Sequence, residues 1–142
     1  MDYKRYKDLI YKIIGAAMTV HRELGYGLLE PIYNEALTIE LADVGLRAEP
    51  EKEIVCYYKG RLLEKKYRVD ILVENDIVVE LKSTEVIKPE HRLQLFNYLR
   101  LTKKPIGVLI NFGGDSLYGE RYGYDTQTNE CLLLSKEMVP YY

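Results

Sequence analysis

Hydrophobic residues in this chain change their spacing at Gly45, and the change separates a helical front from a strand-rich remainder. Over residues 3–24, Tyr3, Tyr6, Ile10, Ile13, Ala17, Val20 and Leu24 recur in steps of three and four, the stripe of an amphipathic helix. Gly25 and Gly27 stop it. Residues 29–44 repeat the pattern with Leu29, Ile32, Tyr33, Ala36, Leu37, Leu41 and Val44. Proline is tolerated only in a first helical turn, so Pro31 puts the start of this second helix near Glu30.

Beyond Gly45 the period is two. Residues 52–58 read as a strand, Lys59-Gly60 as a turn, and residues 61–74 as a long strand. Strict alternation puts Leu63, Lys65, Tyr67, Val69, Ile71 and Val73 on one face and Lys66, Arg68, Asp70 and Leu72 on the other. Asn75-Asp76 signals a tight turn into a third strand, 77–83. Pro89 opens a helix to about Lys103, and residues 105–112 are so uniformly apolar that they read as a central strand. Weaker strand signals lie around 117–124 and 131–134. The order α-α-β-β-β-α-β with a β-rich tail implies an α/β or α+β domain, a mixed central sheet flanked by helices. We expect one domain over 1–142: an N-terminal helix (3–24), a core (28–113) and a tail (114–142).

Charge narrows the function classes. The net charge of −2 is unlike that of a protein that coats nucleic acid non-specifically, yet a site that gathers metal ions must itself be acidic. The distribution is uneven: residues 30–53 carry seven acidic and two basic side chains, whereas 59–68 and 88–104 each carry five basic and one acidic. Solvated faces are the bland account of such clusters. No apolar run approaches the ~20 residues that span a bilayer, and no apolar signal core follows the charged first residues, so a cytoplasmic protein without membrane contact is expected. Cys56 and Cys131 are too few for a disulfide scaffold and are expected to be reduced.

Asp70, Glu80 and Lys82 carry the chemistry. Glu80 and Lys82 interrupt an apolar strand at alternate positions and share a face. Charges inside apolar strands are costly unless they pair or bind metal. Two carboxylates on adjacent strands suit a hard divalent cation, and a neighbouring lysine can hold a water or neutralise charge on a phosphate. The same residues could equally form a buried salt bridge. On the helix after Pro89, His91, Gln94 and Tyr98 fall within about 60° of one another, and Glu30 and Tyr33 share a face at the start of the second helix. Register adds a condition. A two-residue loop at Asn75-Asp76 would set Asp70 and Glu80 on opposite faces, whereas a three-residue loop, Glu74–Asp76, or a bulge with the same effect, pairs them.

Together these residues resemble a known family. Asp70 followed by Glu80-Leu81-Lys82 resembles the D…E-x-K core of the PD-(D/E)XK nuclease superfamily. Gln94 and Tyr98 resemble the Q-x-x-x-Y motif of its RecB-type branch, and Gly27, Glu30 and Tyr33 resemble the signature of its GxxExxY proteins. The resemblance runs from about residue 9 to 113, with Val69 where the superfamily's name has proline. It implies a restriction-endonuclease-like αβββαβ core and a metal-dependent nuclease acting on DNA. Asp70, Glu80, Glu30 and the Leu81 carbonyl would then ligate Mg²⁺ (or Mn²⁺). Lys82 would orient the attacking water, and Gln94 and Tyr98 would hold the site or the phosphate backbone. Lys66, Arg68, Lys88, His91 and Arg92 would contact the nucleic acid. A non-catalytic nucleic-acid- or protein-binding module on the same fold is the alternative, and homodimerisation is left open. With no Gly-rich phosphate loop and no paired-histidine site, P-loop and zinc-hydrolase readings are weak.

Overall fold

The computed structural model describes residues 2–139. Helices α1 (Tyr3–Leu24) and α2 (Glu30–Asp43) precede three strands, β1 (Ala48–Tyr58), β2 (Arg61–Val73) and β3 (Ile77–Lys82). Helix α3 (Pro89–Thr102) leads into β4 (Ile106–Asn111), and β5 (Tyr118–Asp125) and β6 (Glu130–Leu134) follow. The six strands form one sheet in chain order. All neighbours are antiparallel except β3 and β4, which run parallel because α3 carries the chain across between them. This is the expected mixed sheet flanked by helices. Every residue of β4 is buried, as its continuous apolar run implied. The last three residues of the expected tail lie outside the described residues.

The helices cover opposite faces. Ile10, Ile13, Ala17 and Val20 of α1 and Tyr33, Leu37 and Leu41 of α2 pack on Ile71, Val73, Val79, Val108 and Ile110. Leu95 and Leu99 of α3 pack on Leu72, Val78, Leu109 and Tyr122 from the other side. A glycine lets α3 lie close: a Cβ at Gly107 would stand 2.9 Å from the Cδ1 atoms of both Leu95 and Leu99. The expected stripes are trimmed at their ends. Tyr3 and Leu24 of α1, and Leu29, Ile32 and Val44 around α2, remain exposed where the helices run past the core.

Two features of the sheet position the site. First, β1 begins at Ala48, four residues before the expected start, because Ala48, Glu49 and Pro50 pair with Val73, Leu72 and Ile71. Pro50 hid this extension; β1 is an edge strand, where a missing N–H is tolerated. Second, β2 changes sides. Ile71 and Val73 pack with α1 and α2, but Val69 joins Leu72 in the α3 cluster, and the ring of Tyr67 meets Tyr98 of α3 at 4.8 Å. Residues three apart cannot share a face of a regular strand. The expected unbroken alternation from Leu63 to Val73 is therefore corrected: it inverts at Asp70. Across from Asp70, between the pairs Pro50–Ile71 and Lys52–Val69, Glu51 takes a left-handed φ of 49°.

Candidate active site

The β2–β3 turn has three residues. Glu74 and Asn75 adopt φ of 50° and 61°, Asp76 N–H donates to the Val73 carbonyl at 3.2 Å, and Val73 pairs with Ile77. This is the register that sets Asp70 against Glu80. The ladder stops just short of that pair, at Ile71–Val79, and side chains take over from the backbone. Asp70 N–H donates to Glu80 Oε1 at 3.2 Å, and Leu81 N–H donates to Asp70 Oδ2 at 2.8 Å. Each carboxylate thus satisfies an amide that the parting strands would leave unpaired.

The gap between the strands opens on a cavity of about 90 Å³, lined by Glu30, Pro31, Asn34, Glu51, Asp70 and Leu81. Glu30 reaches it from the first turn of α2, where the helix dipole favours a carboxylate. Tyr33 does not join it. Its ring is buried and stacked on Phe112 at 4.4 Å, and its hydroxyl donates to the Gly25 carbonyl (2.6 Å) and accepts from Leu28 N–H (3.1 Å). Tyr33 thereby buckles the loop through Gly27, whose φ of 83° suits glycine, and holds the N-terminus of α2 in place. Two lining residues were missed in the sequence. Asn34, buried and one helical turn from Glu30, donates to the Asp70 carbonyl at 3.0 Å; its i+4 spacing was the available signal. Glu51 carried none, since only the β1–β2 register brings it to Asp70.

The carboxylates are crowded, and the charge of Lys82 only partly offsets the crowding at Glu80. Burial pushes the Glu80 carboxyl well above the usual range, and the charge of Asp70 pushes it further. Burial also raises Asp70, and the charges of Glu51 and Glu30 add to the rise, against the hydrogen bond from Leu81. No described lysine or arginine forms an ion pair with Glu30, Glu51, Asp70 or Glu80. The salt-bridge alternative is therefore not formed. Lys82 Nζ donates instead to Gln94 Oε1 at 3.0 Å, and Gln94 Nε2 donates to the Tyr98 hydroxyl at 2.9 Å. Among the described residues no three carboxylates, cysteines or histidines converge to cage an ion as the side chains stand. Mg²⁺ needs no such cage: it binds through one or two carboxylates and keeps several waters. A cluster of hard oxygens held in no ion pair fits that demand.

The remaining expected residues divide. Lys66 and Arg68 line an open cavity of about 390 Å³ with Glu53, Glu64 and Lys65. Lys88 caps α3, where its N–H donates to His91 Nδ1 at 3.0 Å, and His91 lies in one groove with Gln94 and Tyr98. Arg92 lines a different cavity, and its guanidinium grips Glu120 of β5 through bonds of 2.8 and 2.7 Å. Tyr118 and Tyr122 also donate to Glu120. Burial alone would raise that carboxyl, but these bonds outweigh it and hold it at about 2. Arg92 therefore ties α3 to the sheet.

A model of the PD-(D/E)XK nuclease superfamily matches residues 7–121. The chain belongs to that superfamily. Membership of the PD-(D/E)XK group suggests nuclease activity; its members are typically nucleases that use divalent metals and act on nucleic acid. No curated protein matches the chain. Among solved structures, the crystal structure of SSO0001 is similar over 70% of this chain and 55% of that one, at 25% identity and a TM-score of 0.48. The chain thus aligns with little more than half of that protein's length. No helix among the described residues is long and apolar enough to cross a membrane.

Proposed function

We propose that the chain is a metal-dependent nuclease that hydrolyses phosphodiester bonds in DNA, a single domain of the GxxExxY kind with a RecB-type helix. The observation that carries this reading is the meeting of Asp70 and Glu80, held in no ion pair and beside Lys82, where β2 and β3 part. Asp70, Glu80 and the Leu81 carbonyl would hold Mg²⁺ (or Mn²⁺), with Glu30 reaching it directly or through water. When bound, the ion lowers the pKa of water and offsets charge on the phosphate.

The chain's own residues supply the rest. Lys82 donates one of its three N–H bonds to Gln94 and keeps two for the attacking water and a phosphate oxygen. Gln94, steadied by Tyr98, fixes the ammonium so that the water is held in line. Lys66, Arg68 and Lys88 would steady the strand's phosphates. Arg92 is proposed in a different role from the other basic residues, as the tie that keeps α3 seated.

The test is a cleavage panel in Mg²⁺ and Mn²⁺ over single-stranded, duplex and branched DNA. The wild type is expected to cut at least one substrate, and Lys82→Ala to cut it about a hundredfold more slowly or worse. Tight binding with no cleavage of any substrate would overturn the reading in favour of a non-catalytic module.

A further inference from the structure

Between the outer end of β2 and helix α3 lies a groove of about 420 Å³, lined by Tyr67, Glu90, His91, Leu93, Gln94, Asn97 and Tyr98. The geometry points to this groove as a seat for one unpaired nucleobase next to the scissile phosphate, so that the substrate strand enters single-stranded or locally unpaired. The inference rests on the nuclease reading and adds the substrate's form to it.

The lining argues for a base rather than a phosphate. Tyr67 and Tyr98 meet edge to face, at 4.8 Å and 61°. With His91 they give the groove π surfaces on which any base can stack. No lysine or arginine lines it, and Glu90 would repel a phosphate. The basic residues Lys65, Lys66 and Arg68 line a separate cavity, where backbone charge is better served. Asn97 is exposed, and its amide has no hydrogen-bond partner among the described residues. It offers a donor and an acceptor together, the pairing that an asparagine uses on a base edge. Gln94 forms one wall and also receives Lys82, so a base in the groove lies one side chain from the lysine of the site.

Binding in Ca²⁺, read by fluorescence anisotropy, tests this without requiring cleavage. The probes are a mixed-sequence single-stranded DNA, the same strand made of abasic spacers, and the matching duplex. The normal strand is expected to bind about tenfold more tightly than the abasic one. Asn97→Ala and Tyr67→Leu should each remove most of that difference while leaving abasic binding unchanged. Asn97 is exposed, so its variant keeps the fold if Tyr67→Leu does not. Equal affinity for normal and abasic strands, a preference for duplex, or equal weakening of all probes by both variants would overturn the inference. If duplex is cut in Mg²⁺ and Asn97→Ala changes nothing, the nuclease reading stands and the groove falls. If the base-dependent binding appears but nothing is cut, the groove stands and the nuclease reading falls.

Discussion

Asp70 and Glu80 each do two things at once: they complete the hydrogen bonding of strands that part, and they store like charge in a buried place. Both carboxyls are raised by burial and then by neighbouring charge. A raised folded pKa means that the folded state holds the proton more tightly than the unfolded chain. Stability then increases as pH falls through the folded pKa towards the unfolded one. The metal-free Glu80→Gln protein, whose amide oxygen still accepts from Asp70 N–H, is therefore expected to melt above the wild type at neutral pH. The gap should close as the pH is lowered towards the ordinary carboxylate range; melts over a pH series read it directly, and a constant gap would contradict it. Glu120 has the opposite sign: its stabilisation is present above its unfolded pKa and is lost as pH falls towards about 2. Tyr33→Phe keeps the stacked ring but frees the Gly25 carbonyl and Leu28 N–H. A cost of about 1–3 kcal/mol is expected in a denaturant titration, with weaker metal binding as Glu30 loosens. The pairing of Asp70 with Glu80 was legible in the sequence, because the two-residue period excludes a two-residue loop and asks for a three-residue one or a bulge with the same effect; the structure has the three-residue turn. The role of Tyr33 was not. An aromatic residue at i+3 from a glutamate reads as a neighbour on the same face, and nothing local shows that its hydroxyl turns back to the preceding loop.

At the scale of elements, helix α3 is fixed at two points. Gly107 lets Leu95 and Leu99 settle onto β4, and Arg92 clasps Glu120. Gly107→Ala should therefore lift the helix. A stability loss of about 1–3 kcal/mol is expected, together with a loss of cleavage larger than a general destabilisation explains, because the Lys82–Gln94 bond spans the same interface. Cleavage measured well below the variant's melting temperature separates the two effects. Arg92→Ala leaves the buried carboxylate without its cation. With Arg92 about one-third exposed, we expect a cost of about 1–3 kcal/mol, and acid unfolding should begin at higher pH as Glu120 returns towards its ordinary value. The sequence made the helices and most strands legible because each buries one face or two. It did not reveal the early start of β1 or the inversion of β2 at Asp70. Both depend on the β1–β2 pairing, where Glu51 sits with a left-handed backbone, and no local period encodes a register between strands.

For the whole molecule, β2 and β3 part between helices on opposite faces of the sheet, so Glu30 of α2 and Tyr98 of α3, although they line different cavities, both lie within reach of the charge of Asp70. The acidic surroundings of Asp70 also reconcile a net negative charge with a nucleic-acid substrate: the proposed cation site is acidic, and the positive side chains stand on the outer part of β2 and at the start of α3. The most direct measurement is the thermal melt of the wild type and Asp70→Asn across a Mg²⁺ titration, which requires no knowledge of the substrate. The wild type is expected to gain stability with Mg²⁺, by about 2.7 kcal/mol at a hundred times the dissociation constant. Asp70→Asn should be at least as stable as the wild type without metal and respond little to it. An equal response in both proteins, or a metal-free Asp70→Asn that is weaker by about 3–5 kcal/mol as a broken buried ion pair would be, would contradict the account.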